Sequence, residues 1–190
     1  MSTSAAFPAD SEFSLHQVTP ANSQHTIPAT LRLIKALALF EKAPDEVFAT
    51  EELLRDSFFG DKEGRKYAEC ILIYRGGAPG EDGAEAVAMA VWYYTFSTWT
   101  GRGGLYLEDL FVEEEFRGRG FAKLLFKHLG QICAERGLPR MEWVYINSPV
   151  LVLLRWNKNA EQIYKRMGAV DLDEWMTMRM TGDALKKLGE

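Results

Sequence analysis

A mixed α/β fold of the α+β class, a mostly antiparallel sheet covered by helices, is predicted from three observations. The chain has 190 residues, 47% hydrophobic and 12% aromatic, about the size of one domain with a sizeable core. Periodic segments follow the order β, α, α, β, β, β, α, β, α, β, so strands dominate and helices have a sheet to cover. Residues 105–112 form an apolar, strand-like run that passes through Arg117-Gly118-Arg119-Gly120-Phe121-Ala122 directly into an amphipathic helix.

Residues 13–19 alternate enough for a first strand. Thr26 or Thr30 is placed to cap a helix whose Leu31, Ile34, Leu37, Ala38 and Glu41 share one face. Thr50, followed by acidic Glu51 and Glu52, opens a second, shorter helix. Residues 67–75 read as a strand, 76–83 as a glycine-rich hairpin loop and 85–96 as a long strand. Gly101-Arg102-Gly103-Gly104 then turns the chain into the strand at 105–112. In the next helix, residues 121–136, Phe121, Leu124, Leu125, His128, Leu129, Ile132 and Cys133 fall on one face, and Lys123, Lys127, Gln131, Glu135 and Arg136 on the other. Gly137 stands at the left-handed C-cap, with Pro139 beyond it. One domain is expected over 13–182, between a disordered tail at 1–12 and a C-terminal tail at 183–190.

A glycine-punctuated turn from strand to helix offers unpaired N–H groups at the positive end of the helix dipole. That is an anion cradle, suited to phosphate. It is not a P-loop, since Lys123 is followed by Leu124 rather than Ser or Thr. It is not a dinucleotide fingerprint, which needs a small residue where Lys123 stands and a place in the first strand–helix unit. A plain turn with two helpful glycines is the remaining alternative, because glycines serve φ > 0 as readily as ligand approach.

Both cysteines, Cys70 and Cys133, lie in apolar patterns without metal-ligand spacing, which argues against a covalent acyl-cysteine route. His16, His25 and His128 are scattered, so no metal site is expected. The net charge of −5 comes without the basic stripe of nucleic-acid binders. Acids gather instead at Glu108-Asp109 and Glu113-Glu114-Glu115, a surface that attracts a small cation, although the second cluster also reads as a solvated turn. No run approaches the roughly 18 apolar residues of a membrane helix and no secretory signal is visible at the N-terminus. A cytoplasmic protein is expected.

The pattern Arg117-x-x-Gly120-x-Ala122 resembles the acetyl-CoA pyrophosphate motif of the GCN5-related N-acetyltransferases (GNAT), and within them the spermidine/spermine (diamine) N-acetyltransferase branch. The segments Leu31-Arg32-Leu33-Ile34-Lys35-Ala36-Leu37-Ala38 with Phe40-Glu41, Tyr106-Leu107-Glu108-Asp109-Leu110-Phe111-Val112, Arg155-Trp156-Asn157 and Ile163-Tyr164-Lys165-Arg166-Met167-Gly168-Ala169 carry the same likeness, in the family's order. The resemblance implies a twisted sheet of about six to seven strands with about four helices, acetyl-CoA as co-substrate and a homodimer. It implies coenzyme contacts from Leu110, Phe111, Val112, Arg117, Gly118, Arg119, Gly120, Phe121, Ala122 and Lys123, and from Asn157, Lys158, Asn159 and Ala160. It places substrate contacts on Phe40, Glu41, Glu108 and Glu174, with Trp175 beside them.

An alkyl ammonium with a pKa of about 10.4 is neutral at pH 7 in fewer than roughly one molecule in a thousand, and only the neutral amine attacks a thioester. A carboxylate at the mouth of the site meets that need. Glu108 matches the family's base, and Asp109 is expected on the opposite side of the strand by the two-residue period. Tyr164 matches the tyrosine that protonates the departing thiolate; read from the residues alone it is a tyrosine on a short helix capped near Asn157 or Asn159. Two features depart from the family. Surplus residues 145–152, with Asn147-Ser148-Pro149 inside, interrupt what relatives run as one strand, and Arg155 stands where relatives often carry an acid. The expected function is therefore acetyl-CoA-dependent N-acetylation of a small primary amine of the polyamine or diamine kind. A peptide or protein N-acetyltransferase and a non-catalytic acyl-CoA-binding module are the alternatives.

Overall fold

The computed structural model describes residues 7, 11–145, 162, 164–172, 174 and 177–189. The chain divides into two compact units, Met1–Val144 and Tyr145–Glu190. The first holds one sheet in the order β1 (Phe13–Gln17), β2 (Glu69–Arg75), β3 (Glu85–Ser97), β4 (Arg102–Val112) and β5 (Met141–Trp143). All neighbours are antiparallel except β4 and β5, which are parallel. The described sheet has five strands rather than six to seven. The surplus expected at 145–152 falls outside the described residues apart from Tyr145.

The middle strands are buried on both faces. Cys70 to Tyr74 on β2 and Ala86 to Trp92 on β3 are all core residues, so these stretches read as apolar runs rather than as alternation. On one face Ile27 and Leu33 of α1 (Ser23–Phe40) pack with Cys70, Leu72, Val91 and Phe111. On the other, α3 (Phe121–Arg136) buries Phe121, Leu125, Phe126 and Leu129. Phe126 joins that stripe because its ring meets Trp143 of β5 edge-on at 5.2 Å. Helix α3 has the bounds its periodicity predicts, and Gly137 closes it at φ +63°.

Helix α1 corrects the sequence expectation. It starts at Ser23, so Thr26 and Thr30 lie inside it, fully buried. Their hydroxyls donate to the carbonyls of Asn22 and Thr26 one turn back, which lets polar side chains occupy the apolar face. The buried stripe accordingly runs through Thr26, Ile27, Thr30 and Leu33, with Ile34 and Leu37 packed beside it. Arg32 ties this helix to the sheet by donating to the Ala86 carbonyl and to the Glu113 carboxylate just past β4. In α2 (Glu51–Phe59) the predicted cap is present: the Thr50 hydroxyl accepts from the Leu53 N–H at 3.2 Å.

In the second unit Gln162 and Tyr164 to Arg166 are helical, and Gly168 ends that turn at φ +90°. Helix α4 (Gly182–Leu188), where a tail was expected, has every residue exposed.

Candidate active site

The β4 strand carries the centre of the site, and one extra residue sets its geometry. Val91 pairs with Asp109 and Trp92 with Leu107, so Glu108 has no partner on β3 and forms a bulge. A bulge breaks the two-residue alternation and re-aims side chains. Asp109 therefore does not face away from Glu108 as the strand period predicts. It lies in register with Val91 and Cys70, both in the core beneath α1.

The charges agree with this placement. Burial is the main cause that lifts the Asp109 carboxyl from the ordinary 3.8 to about 6, and the negative charges of Glu108 and Glu41 raise it further. Burial also raises Glu41, which caps α1 at its C-terminal end. Tyr93 is raised by burial and by Glu108 and Glu142. Its ring lies 5.0 Å from that of Tyr106. Three carboxylates, Glu41, Glu108 and Asp109, thus share one face with a tyrosine pair, a setting that favours a cation. Sequence reasoning counted Asp109 among the clustered acids but expected it on the opposite side of the strand, and it missed the Tyr93–Tyr106 pair, because nothing in composition marks an extra residue in a strand. The consecutive acids Glu108-Asp109 were the available signal.

Asp109 has a consequence for stability. Its pKa is higher in the folded than in the unfolded chain, so its favourable contribution is present below pH 3.8 and lost as pH rises through about 6. We expect Asp109→Asn to stabilise the protein by about 2 kcal/mol at pH 8 and to leave it nearly unchanged at pH 4. Denaturant melts at the two pH values check this; an equal effect at both contradicts it.

Beyond the bulge the sheet opens. Strand β5 pairs with β4 only from Leu105 to Leu107. Among the described residues, Leu110, Phe111 and Val112 pair with β3 along one edge and have no strand on the other. Among the described residues that edge is left to an extended ligand, apart from the Val112 carbonyl, which accepts from the Arg117 Nε.

The chain then reaches the glycine turn. Gly118 and Gly120 are left-handed at φ +77° and +87°, and a methyl group at either would meet nothing within 4 Å among the described residues. The turn faces open space. Gly120 is the N-cap of α3 and has no side chain to accept from the first N–H groups, which have no acceptor within the helix. Phe121 is buried under the turn, Ala122 is half-buried and Lys123 is exposed. Arg119 lies over the rings of Phe13 and Phe116 at 5.7 and 5.6 Å and reaches Glu12 at 3.7 Å. Arg117 contributes its backbone to the turn, while its guanidinium folds back over the Phe40 ring at 4.2 Å and its Nε donates to the Val112 carbonyl at 3.0 Å. We expect Gly120→Ala to cost about 1 kcal/mol of stability from backbone strain alone, measurable by thermal melting. Unchanged stability contradicts it.

The second unit holds the remaining candidates. Tyr164 is half-buried, its ring 5.7 Å from Tyr145 and edge-on to it; burial first and Tyr145 second raise its phenol above the ordinary value of 10. It stays protonated at neutral pH. Glu174 is exposed. Asn157, Lys158, Asn159, Ala160 and Trp175 lie outside the described residues.

Neither thiol is activated. Burial pushes Cys70 up to about 12 and raises Cys133 as well. Among the described residues no group of three or more His, Cys, Asp or Glu is arranged to hold a metal ion, and no helix is long and apolar enough to cross a membrane. Two cavities of about 530 and 580 Å³ lie elsewhere, one between β1 and α3 and one between α1 and the 76–84 loop, and neither is lined by Glu108 or the glycine turn.

Comparison with known proteins adds a family to this geometry. The model of the acetyltransferase (GNAT) family matches residues 36–169. A thialysine N-epsilon-acetyltransferase of Sus scrofa is 36% identical over 162 residues, 83% of this chain and 88% of that protein. One of Caenorhabditis elegans is 33% identical over 181 residues, 94% of this chain and 98% of that protein. A spermidine/spermine N(1)-acetyltransferase-like protein of Homo sapiens is 31% identical over 162 residues, 83% of this chain and 21% of that protein. Among solved structures, an integron cassette protein of V. cholerae superposes with a TM-score of 0.67 at 21% identity, over 95% of this chain and 99% of that one, a likeness of fold.

Proposed function

The chain belongs to the GNAT acetyltransferase family and is an N-acetyltransferase, and from that premise we propose that it transfers the acetyl group of acetyl-CoA to a primary amine of a small cationic substrate, polyamine- or diamine-like, by direct attack in a ternary complex. The observation that carries this reading is the bulge in β4, which brings Glu108 and Asp109 to one face with Glu41 and the tyrosine pair. An acidic, aromatic surface holds an ammonium group. The names of the relatives, thialysine and spermidine/spermine N-acetyltransferases, support the same substrate class.

In this reading the open turn at Gly118 and Gly120, with the first N–H groups of α3, holds the coenzyme pyrophosphate. The free edge of Leu110, Phe111 and Val112 pairs with the pantetheine arm, and an N–H there polarises the thioester carbonyl. Glu108 takes the proton from the substrate ammonium, directly or through water. The amine nitrogen then bonds to the acetyl carbon, the C–S bond breaks, Tyr164 gives its phenolic proton to the departing thiolate, and the second proton lost by the nitrogen leaves to solvent, from which the Tyr164 phenolate is reprotonated. Asn157, Lys158, Asn159 and Ala160 are further coenzyme contacts in this scheme, and Phe40, Glu41, Glu174 and Trp175 line the amine side. The family likeness supports a cytoplasmic homodimer.

The test is thiol release from acetyl-CoA across spermidine, spermine, putrescine, thialysine and short peptides. Turnover with the small amines and not the peptides supports the proposal. Turnover with peptides alone redirects it to a protein substrate. Tight coenzyme binding without turnover on any amine overturns it in favour of a binding module.

A further inference from the structure

Two parts of the candidate site that the sequence keeps apart are joined by a single side chain. Arg117 opens the glycine turn, and Phe40 ends α1 beside Glu41. The Arg117 guanidinium lies 4.2 Å from the centre of the Phe40 ring and 5.9 Å from that of Phe111, and these two rings are 6.1 Å apart. Its Nε is spent on the Val112 carbonyl at 3.0 Å. A planar guanidinium stacked on an aromatic face and fixed by a hydrogen bond is held as a rigid unit. In the same turn Gly118 and Gly120 leave room for a ligand.

We infer that Arg117 is a positioning residue that couples the order of the glycine turn to the last turn of α1. A ligand that orders residues 117–122 restricts the Arg117 backbone, and through the stacked guanidinium restricts Phe40 and the adjoining Glu41. An effect at one site on the order of another is a coupling free energy between them. Coenzyme binding thereby prepares the amine side before the amine arrives. The inference rests on the reading of the turn as the coenzyme site and of the α1 end as the amine side.

The end of α1 carries its own reporters: the N–H groups of Glu41, Lys42 and Ala43 donate to the carbonyls of Leu37, Leu39 and Ala38 at 2.9, 3.2 and 2.9 Å. Hydrogen exchange of the full chain, with and without coenzyme A, follows those amides and the 117–122 turn separately. In the wild type, coenzyme A is expected to slow exchange in the turn and, by about fivefold, at Glu41 to Ala43. In Phe40→Leu the turn is still protected while the effect at Glu41 to Ala43 falls below about twofold. Phe40→Tyr, which keeps the ring face, retains the coupling, and Arg117→Lys, which loses the stacked plane, does not. The inference is overturned if Glu41 to Ala43 do not respond in the wild type, or respond equally in Phe40→Leu and Arg117→Lys. If the turn itself gains no protection, the coenzyme reading fails first and the coupling with it.

Discussion

Replacing Glu108 by glutamine is expected to lower kcat/KM at pH 7 by about 10²–10³-fold. The exchange keeps size and hydrogen-bonding shape but removes both the charge that attracts an ammonium and the acceptor for its proton. Glu108 is exposed at the bulge of β4, so the loss is chemical rather than a failure to fold. The pH dependence separates the two roles. Once the pH approaches the amine pKa of about 10.4, the substrate arrives already neutral and the base has less to do. The defect should therefore shrink steeply between pH 8 and 10. A glutamine variant with full turnover at pH 7 removes Glu108 from the mechanism; a deficit that stays constant with pH reduces it to a binding residue.

Tyr164→Phe is expected to lower kcat by about 10²-fold with little change in the KM for either substrate. The ring remains to pack edge-on against Tyr145, and the hydroxyl alone is lost. Because its pKa is raised by burial and by Tyr145, the native phenol is fully protonated at neutral pH and ready to donate. The variant should release coenzyme A slowly at every amine concentration while its melting temperature changes by less than about 2 °C. Unchanged kcat assigns the thiolate proton to another group. A comparable rise in both KM values, with kcat retained, assigns Tyr164 to binding.

Much of the fold was legible because its signals are local. Helix α3 is announced by its period and by the two glycines that bracket it, and α2 by one threonine whose hydroxyl reaches the next turn. Helix α1 was misread at its start because two threonines that look like caps are buried inside it, each satisfied by a carbonyl one turn back. The glycine turn was legible for the same reason as α3, since left-handed backbone demands glycine within a few residues. That Glu108 and Asp109 share one face was not. Its geometry depends on which residue of β4 fails to pair with β3, a matter of register between strands. The stacking of Arg117 on Phe40 joins positions with no local relation at all. Resemblance to a family supplied Glu108 and Tyr164 as candidates; only the bulge turns Asp109 to the side of Glu108.

The stretch of β4 that has no second strand among the described residues has a consequence for how the protein behaves in solution. A bare strand edge is a template on which another chain can add itself, and natural sheets guard such edges with charges and bulges. Here both guards coincide in Glu108 and Asp109, where the sheet loses β5 as a neighbour. The acids proposed to hold the substrate ammonium also make this edge a poor place for a second strand to dock. Neutralising the pair together should favour self-association over time, and the coenzyme arm proposed to lie along the edge should suppress it, which would link ligand occupancy to colloidal stability.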